Sequence, residues 1–139
     1  MSEININGNL FEYSEDSVLT FVEGLIGMSS MKRAVLVADP RFRPFCWLAS
    51  LDDESCRFIV VESDVAFADL DFMSPLKRMY ETGSPEPDTV FLVVVTVSTD
   101  WTQTTFNTRA PIVLNPHTKK AAQVVFNEPE FSLNASMPE

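Results

Sequence analysis

Short apolar runs of strand length alternate with turn residues along most of the chain. Segments of this kind occupy residues 4–6, 10–11, 18–21, 34–38, 45–48, 56–61, 90–97, 112–114 and 121–126. Runs of this length that are rich in valine, isoleucine and phenylalanine predict strands. The run at residues 90–97 is too continuous for burial on one face only, so it is predicted to be a central strand. Two pairs of neighbouring runs predict hairpins, with turns at residues 52–55 and 115–120.

One segment has the pattern of a helix. Ser74 is a typical N-cap, Pro75 suits the first helical position, and Gly83 can end the helix with a positive φ angle. The spacing of apolar residues predicts one buried face, formed by Leu76, Met79 and Tyr80. Gly24 and Gly27 are predicted to form a tight bend.

Many short strands with one short helix indicate a mainly β fold, namely a small antiparallel β-barrel-like domain that closes on itself to hide its strand edges. Because the chain has 139 residues and is 45% hydrophobic, residues 1–139 are predicted to form this single domain. Residues 1–16 lack the basic and apolar segments of a signal peptide, and the longest apolar run is far shorter than a membrane span. A cytoplasmic location is therefore expected.

The charge of the chain narrows the choice of partners. It has 20 acidic and 10 basic side chains, and its formal net charge is -10. A field of that sign repels nucleic acid and anionic membranes and favours basic partners. Neither direct nucleic-acid binding nor membrane binding is therefore expected.

The two cysteines are predicted to be small apolar residues. If Leu51 faces Cys56 across the first turn, Cys46 lies near Val61, about 16 Å from Cys56 at ~3.3 Å per residue. That distance is beyond disulfide reach. One histidine and two distant cysteines do not form a typical metal set, so no metal and no cofactor are expected.

Candidate catalytic groups are few. His117 is predicted to be a solvated turn residue, because no acid or nucleophile stands near it in sequence. Asp69 and Asp71 alternate with apolar residues, and in an extended segment both would lie on one face. Such a pair can dock a basic partner, or it can serve an enzyme if burial raises one pKa.

Two alternatives to a protein-binding function remain open. The first is a small β-barrel enzyme that uses paired carboxylates from Asp64, Asp69 and Asp71. The second is an oligonucleotide-binding β-barrel, which needs exposed aromatic residues interleaved with cations. The net charge opposes the second alternative.

Several motifs together resemble the family of the flagellar assembly factor FliW over nearly the whole chain. They are FVEGLIG at residues 21–27, PF and WL at residues 44–48, VVVTV at residues 93–97, TFNTRAPIVLN at residues 105–115 and KAAQVV at residues 120–125. The fourth motif is the most specific. The chain departs from the usual family pattern at Ile26, Met28, Ser63 and Thr108.

The resemblance implies a β-barrel-like, non-enzymatic protein that is a monomer when free. It implies that the protein binds flagellin and the translational regulator CsrA, antagonises CsrA and so couples the flagellin level to flagellin translation. Under this hypothesis a basic partner meets acidic residues, which are Asp52, Asp53, Glu54, Asp64, Asp69 and Asp71. Flagellin meets an apolar surface for which the candidates are Phe67, Phe72 and Trp101.

The segment at residues 107–126 is interpreted mainly as a structural hairpin. Arg109 is predicted to hold a neighbouring loop through a carboxylate or a carbonyl. Asn107 and Asn115 are predicted to close turns, and Pro111 is predicted to stand at a strand start or edge. Contact of Asn107 and Arg109 with a partner is the alternative.

Overall fold

The computed structural model describes residues 2–21, 32–80 and 83–136. Its strands are β1 Ser2–Ile6, β2 Asn9–Tyr13, β3 Leu19–Phe21, β4 Arg33–Ala38, β5 Cys46–Ser50, β6 Arg57–Glu62, β7 Val90–Thr96, β8 Thr105–Leu114 and β9 Lys120–Gln123. The helices are α1 Ser63–Ala66 and α2 Met73–Arg78, with single 3-10 turns at Glu15–Ser17, Pro40–Phe42 and Trp101–Gln103. The predicted bend at Gly24 and Gly27 and the sequence departures at Ile26 and Met28 lie outside the described residues.

Strands β3 to β9 form a closed barrel in sequence order, and β1 and β2 form a separate hairpin. Neighbouring barrel strands are antiparallel except β3 and β9, which pair in parallel where the barrel closes. The prediction of a mainly β, barrel-like domain is confirmed. Its purely antiparallel form is wrong at the closing pair, where Thr20 lies opposite Lys120.

Three apolar clusters pack on the two faces of the sheet, and the smallest of them joins Ile6 of the β1–β2 hairpin to β4 and β5. Strand β7 pairs with both β6 and β8, and its residues Phe91, Leu92 and Val93 are buried, which confirms the central strand. Leu92 belongs to the cluster inside the barrel, to which all seven barrel strands contribute. Its neighbours in sequence point the other way. They join an outer cluster beneath α2 and the C-terminal segment, which includes Phe72, Phe106, Phe126 and Phe131.

The predicted hairpin of β5 and β6 is present, but its register differs by one residue. Ser50, rather than Leu51, faces Cys56 and donates its N–H to the Cys56 carbonyl at 2.9 Å. The Ser50 Oγ atom accepts hydrogen bonds from the N–H groups of Asp52 and Asp53 at 3.0 and 3.1 Å. These bonds start the turn one residue earlier than the hydrophobic pattern indicates.

The register places Cys46 opposite Val60 instead of Val61. Cys46 is half-buried, Cys56 is buried, and neither is in a disulfide. The predicted character of both residues is therefore confirmed. Burial raises the pKa of both thiols, which keeps them in the unreactive protonated form.

Helix α2 begins one residue before the predicted N-cap. Phe72 occupies the N-cap position without a side-chain cap, and Ser74 lies inside the first turn. Asp71 accepts hydrogen bonds from the N–H and the hydroxyl of Ser74 and thus satisfies the start of the helix. The prediction of Ser74 as N-cap is wrong, because the carboxylate three residues earlier takes that role.

The predicted buried face of α2 is confirmed only for Leu76, which is 3% exposed. Met79 and Tyr80 are 50% and 45% exposed, and both lie beyond the last helical residue, Arg78. Helix α1 was not predicted. Its first residue is Ser63, which is buried.

Strand β8 contains a large bulge. Leu92 pairs with Ile112 and Val94 pairs with Asn107, so that residues 108–111 lie opposite Val93 alone. Pro111 is in this bulge, so its predicted place at a strand start or edge is wrong. A bulge also tolerates the missing N–H of proline.

The C-terminal segment pairs with β8 beside this bulge. The N–H groups of Thr108 and Arg109 donate to the Ser132 carbonyl at 2.8 and 3.2 Å, and Phe106 and Ala135 exchange two backbone hydrogen bonds. Thr108 is buried, and its hydroxyl donates to the Ser132 carbonyl at 3.2 Å and accepts from the Ser132 N–H at 2.9 Å. These bonds satisfy the hydroxyl of a buried polar residue.

Replacing Thr108 with valine keeps the side-chain shape and removes both hydroxyl bonds. We expect Thr108→Val to lower the free energy of unfolding by about 1–3 kcal/mol, because a buried donor then lacks its acceptor. Denaturant unfolding measures this change. The matched control is Thr96→Val on the exposed end of β7, for which we expect a change within about 0.5 kcal/mol. Equal effects of the two substitutions would contradict the assignment.

Candidate protein-binding surfaces

Two 3-10 turns present large aromatic rings to the solvent. The turn Pro40–Phe42 follows Asp39, and the turn Trp101–Gln103 follows Asp100. The Oδ1 atom of each aspartate accepts a hydrogen bond of 3.0 Å from the backbone N–H two residues later. These side-chain caps fix the two turns and therefore the positions of Phe42 and Trp101.

The two turns and strands β5 and β6 surround a cavity of about 220 Å³, which we call the aromatic pocket. Phe42 is 53% exposed and Trp101 is 46% exposed at its rim. The cavity surface is almost entirely carbon, and its lining residues are Asp39, Phe42, Phe45, Cys46, Trp47, Ile59, Val97 and Trp101. Large apolar side chains that are exposed together mark interaction sites.

Phe45 connects the pocket to the core. Its ring meets Trp101 edge-on, with centroids 5.6 Å apart, and stacks on the buried Phe106 at 6.4 Å. Aromatic pairs at these separations are attractive. Trp101 is therefore held in place on one side while the rest of its ring stays accessible.

The one carboxylate in the lining is already occupied. Asp39 receives two hydrogen bonds from the Nε atom of Arg41, at 3.0 and 3.1 Å, and one from Nη2 at 2.6 Å. These bonds hold the pKa of the Asp39 carboxyl below its usual value. The Arg41 guanidinium also lies 5.4 Å from the centroid of the Phe42 ring. The pocket thus offers apolar surface to a partner rather than an unpaired polar group.

A second concavity, which we call the acidic cleft, lies at α1 and the start of α2. Its volume is about 370 Å³. It brings together five predicted site residues, namely Asp64, Phe67, Asp69, Asp71 and Phe72. Of the other predicted residues, Trp101 lies in the aromatic pocket, and the acidic turn at residues 52–54 lies at neither surface.

The cleft corrects two sequence-based expectations. Asp69 lies in a turn between α1 and α2, so it and Asp71 are not on one face of an extended segment. Both residues are exposed all the same. Phe72 is 3% exposed and contacts Phe91, Phe126 and Phe131, so it is a core residue rather than a partner contact. Phe67 is half-buried against Phe106 at 5.3 Å.

The acidic turn at residues 52–54 forms hydrogen bonds within the protein. Asp52 accepts hydrogen bonds from the N–H groups of Arg33 and Lys32 at 2.8 and 3.2 Å and forms an ion pair of 3.3 Å with Arg33. Asp53 accepts bonds from the N–H and the hydroxyl of Ser55 at 3.0 and 2.7 Å. Two of the three acids at residues 52–54 therefore have intramolecular partners.

Asp52 makes a testable contribution to the pH dependence of stability. The backbone N–H of Arg33 is the main cause that holds the pKa of Asp52 below its usual value. Because the unfolded pKa is about 3.9, this stabilisation is present above pH ~4 and is lost as the pH falls through the folded pKa.

We expect Asp52→Asn to cost about 1 kcal/mol at pH 7, a value reduced for solvent screening. Urea unfolding between pH 2 and pH 7 tests this expectation. The difference between the two proteins should shrink towards zero at the acid end. The same difference at every pH would show that the charge of Asp52 does not stabilise the fold.

The family model of the FliW protein matches residues 6–137. The chain belongs to the FliW family. It is 30% identical over 130 residues to the flagellar assembly factor FliW of Thermotoga maritima, covering 92% of this chain and 87% of that protein. It is 30% identical over 124 residues to the one from Caldicellulosiruptor bescii, covering 88% and 80%. A crystal structure of the flagellar assembly factor FliW has a TM-score of 0.76 at 26% identity and covers 99% of both chains.

Side chains of the motif at residues 105–115 hold the β8 bulge together. The Asn107 Oδ1 atom accepts a 3.0 Å hydrogen bond from the Ala110 N–H, and Arg109 donates through Nη2 to the Phe131 carbonyl at 3.1 Å. Gln123 donates to the Ala110 carbonyl at 2.9 Å. The predicted structural roles of Asn107 and Arg109 are confirmed.

The predicted turn after the motif is confirmed as well. The Asn115 Oδ1 atom accepts hydrogen bonds from the N–H groups of His117 and Thr118 at 2.9 and 3.2 Å. His117 is exposed, as predicted, and its Nε2 atom lies 2.6 Å from Asp88 Oδ2. That carboxylate is also exposed and comes from the connection before β7, which the sequence around His117 does not reveal.

Phe42, Phe45 and Val97 were missed as candidate site residues. One sequence signal was present, because Phe42 is a large aromatic residue between two arginines in a segment that follows a strand and contains proline. Turn segments are usually polar. Its proximity to Trp101 depends on the order of the strands in the barrel, which the local sequence does not contain.

No helix in residues 2–21, 32–80 and 83–136 is long and apolar enough to cross a membrane. The same residues contain no cluster of three or more histidine, cysteine, aspartate or glutamate side chains suited to a metal ion.

Proposed function

We propose that this protein is a cytoplasmic flagellar assembly factor that binds flagellin and antagonises CsrA by protein–protein contact, and so couples the flagellin level to flagellin translation. The family membership supports a role in flagellar assembly. The observation that carries the binding function is the aromatic pocket, where Phe42 and Trp101 are exposed around a carbon-lined cavity. Tryptophan is among the residues most enriched at the energetic centres of protein interfaces.

The aromatic pocket is proposed as the flagellin contact. Exposed apolar area of this kind gains free energy when a partner covers it. The rigid turns and the Phe45 contact reduce the entropy that Trp101 would lose on binding. Phe67 and Phe72 have smaller exposed surfaces, so Trp101 is the aromatic candidate that the geometry favours.

The acidic cleft is proposed as the surface for the basic partner, CsrA. Asp64 and Asp69 are exposed there, and no described residue forms an ion pair with either of them. A chain of net charge -10 attracts a basic partner over long range, and charges at the rim of an interface mainly raise the association rate.

Neither alternative function is favoured. A carboxyl group that acts as a general acid near neutral pH needs a raised pKa, whereas hydrogen bonds from Ser74 lower the pKa of Asp71. Phe42 between Arg41 and Arg43 has the order of residues that oligonucleotide binders use, but the net charge of -10 opposes a polyanion.

Calorimetric titrations with flagellin and with CsrA from the same bacterium test the proposal. Each titration is repeated with the other partner already bound. We expect both proteins to bind. Each should lower the affinity for the other by the same factor, because the coupling between two binding sites is reciprocal. Charge reversal at Asp64 and Asp69 should weaken the binding of CsrA and leave the affinity for flagellin unchanged. Absence of binding by both partners would overturn the proposed function.

A further inference from the structure

The two exposed rings at the rim of the aromatic pocket are supported in different ways. The Trp101 ring meets Phe45 edge-on, with centroids 5.6 Å apart. Phe42 forms no stacked or edge-on pair with another aromatic ring in residues 2–21, 32–80 and 83–136. Backbone hydrogen bonds of 2.9 Å join its N–H to the Asp39 carbonyl and its carbonyl to the Phe45 N–H. These bonds fix the backbone of Phe42 but leave its ring free to change rotamer.

The Arg41 guanidinium supports the Phe42 ring. Its central carbon lies 5.4 Å from the ring centroid, within the ~6 Å over which a cation and an aromatic face attract each other. The guanidinium is itself fixed, because its Nε and Nη2 atoms donate to both oxygens of the buried Asp39 carboxylate. A planar guanidinium that binds a carboxylate in this way has a defined orientation. The carboxylate thus holds the guanidinium, and the guanidinium holds the ring.

A comparison of the two turns shows that this ion pair is not required for capping. The Asp39 Oδ1 atom already caps its turn through the Arg41 N–H at 3.0 Å. Asp100 caps the second turn through the N–H and the hydroxyl of Thr102, and it forms no ion pair with any described residue. The ion pair therefore occurs at the turn whose aromatic ring lacks an aromatic neighbour.

We propose that Asp39 and Arg41 are positioning residues of the aromatic pocket. Their ion pair holds the Phe42 ring at the rim, where it can contact an apolar side chain of a partner. A ring that is ordered before binding loses less entropy when the partner covers it. The inference rests on the proposed function, because it states how the flagellin contact is kept ready for binding. Flagellin affinity then depends on two polar residues that act through Phe42.

The first test follows the Phe42 ring without any partner. Carbon-13 NMR relaxation gives the order parameter of this ring in the wild type, in Arg41→Gln and in Asp39→Asn. Both substitutions keep the cap, since the N–H of residue 41 remains and asparagine caps a turn as well as aspartate does. We expect the order parameter to fall in both variants. An unchanged value in both would mean that the cap alone positions Phe42, and it would overturn the inference.

The matched control is Arg78→Gln. Arg78 forms an ion pair of 2.7 Å with Glu128, and its side chain is 61% exposed, compared with 59% for Arg41. The substitution therefore removes the same charge from a similar pair that does not line the aromatic pocket. We expect it to leave the order parameter of Phe42 unchanged. A fall equal to that in Arg41→Gln would show a general effect of lost charge and would contradict the assignment.

The second test is a double-mutant cycle of flagellin affinity with Arg41→Gln and Phe42→Ala. We expect Arg41→Gln to weaken flagellin binding by about two- to tenfold, the range for the ordering of one side chain. In the Phe42→Ala background the same change should cost less than about twofold, because the ring on which Arg41 acts is gone. Urea unfolding of each variant verifies that the proteins are folded under the conditions of the titration.

The cycle separates the inference from the proposed function. If flagellin binds and the two substitutions have additive effects, Arg41 does not act through Phe42, so the inference fails and the proposed function stands. If flagellin does not bind, the flagellin assignment fails, and the order parameter of Phe42 alone decides whether Asp39 and Arg41 position the ring.

Discussion

Trp101→Ala is expected to weaken flagellin binding by roughly 30-fold or more, because truncation of a central aromatic residue at an interface costs about 2 kcal/mol or more. The indole is 46% exposed at the rim of the aromatic pocket and is held by Phe45. The substitution removes much of the apolar surface that a partner would cover. Calorimetric titration with flagellin measures the loss, and CsrA binding should stay within about twofold of the wild type, because the proposed CsrA surface does not include Trp101.

The control for Trp101 is another exposed apolar residue. Leu133 is 58% exposed and does not line the aromatic pocket. Leu133→Ala should leave flagellin affinity unchanged within about twofold, since isolated surface leucines are common and have no special role. If Trp101→Ala and Leu133→Ala have the same effect on flagellin binding, the aromatic pocket is not the contact surface.

Phe131→Ala is expected to be the most destabilising single change considered, with a loss of about 3–5 kcal/mol in the free energy of unfolding. Phe131 is 1% exposed, and its ring lies 5.3 Å from Phe72 and 4.9 Å from Phe126. The substitution opens a cavity in the outer cluster. It also loosens the C-terminal segment, which Arg109 holds through a hydrogen bond to the Phe131 carbonyl. Because small domains are stable by about 5–15 kcal/mol, this loss is a large share of the total.

Urea unfolding of Phe131→Ala and Leu133→Ala measures this effect. The two residues are neighbours in the same segment, but only Phe131 packs in a core cluster. We expect Leu133→Ala to change the free energy of unfolding by no more than about 0.5 kcal/mol. A loss below about 1 kcal/mol for Phe131→Ala would mean that the C-terminal segment adds little to the fold.

Most strands could be predicted because apolar patterns carry the information about them. The β-branched run of β7 and the paired runs of the two hairpins are local signals. The one-residue register error at Ser50 arose because the Ser50 side chain accepts hydrogen bonds from the N–H groups of Asp52 and Asp53 and so fixes where the turn begins. The start of α2 was missed for a similar reason, since Asp71 rather than Ser74 satisfies its first turn. Side-chain capping competes with hydrophobic patterning, and sequence alone does not show which interaction prevails.

The candidate surfaces could be predicted only in part. The charge of Asp64 and Asp69 predicts contact with a basic partner, and both residues lie in the acidic cleft. The sequence predicts three aromatic residues as partner contacts, and burial distinguishes the exposed Trp101 from Phe72. The proximity of Phe42 and Trp101 depends on strand order and on two turns that are distant in sequence, so composition and spacing could not reveal it.

Hydrogen–deuterium exchange of this protein, with and without flagellin, tests most directly whether the aromatic pocket is a binding surface. Bound flagellin should slow amide exchange in residues 40–47 and 97–103, which form the turns and walls of the pocket. Exchange in the β1–β2 hairpin should not change, because that hairpin lies outside the barrel sheet. Protection confined to the acidic cleft or to the hairpin, with the pocket segments unchanged, would contradict the account.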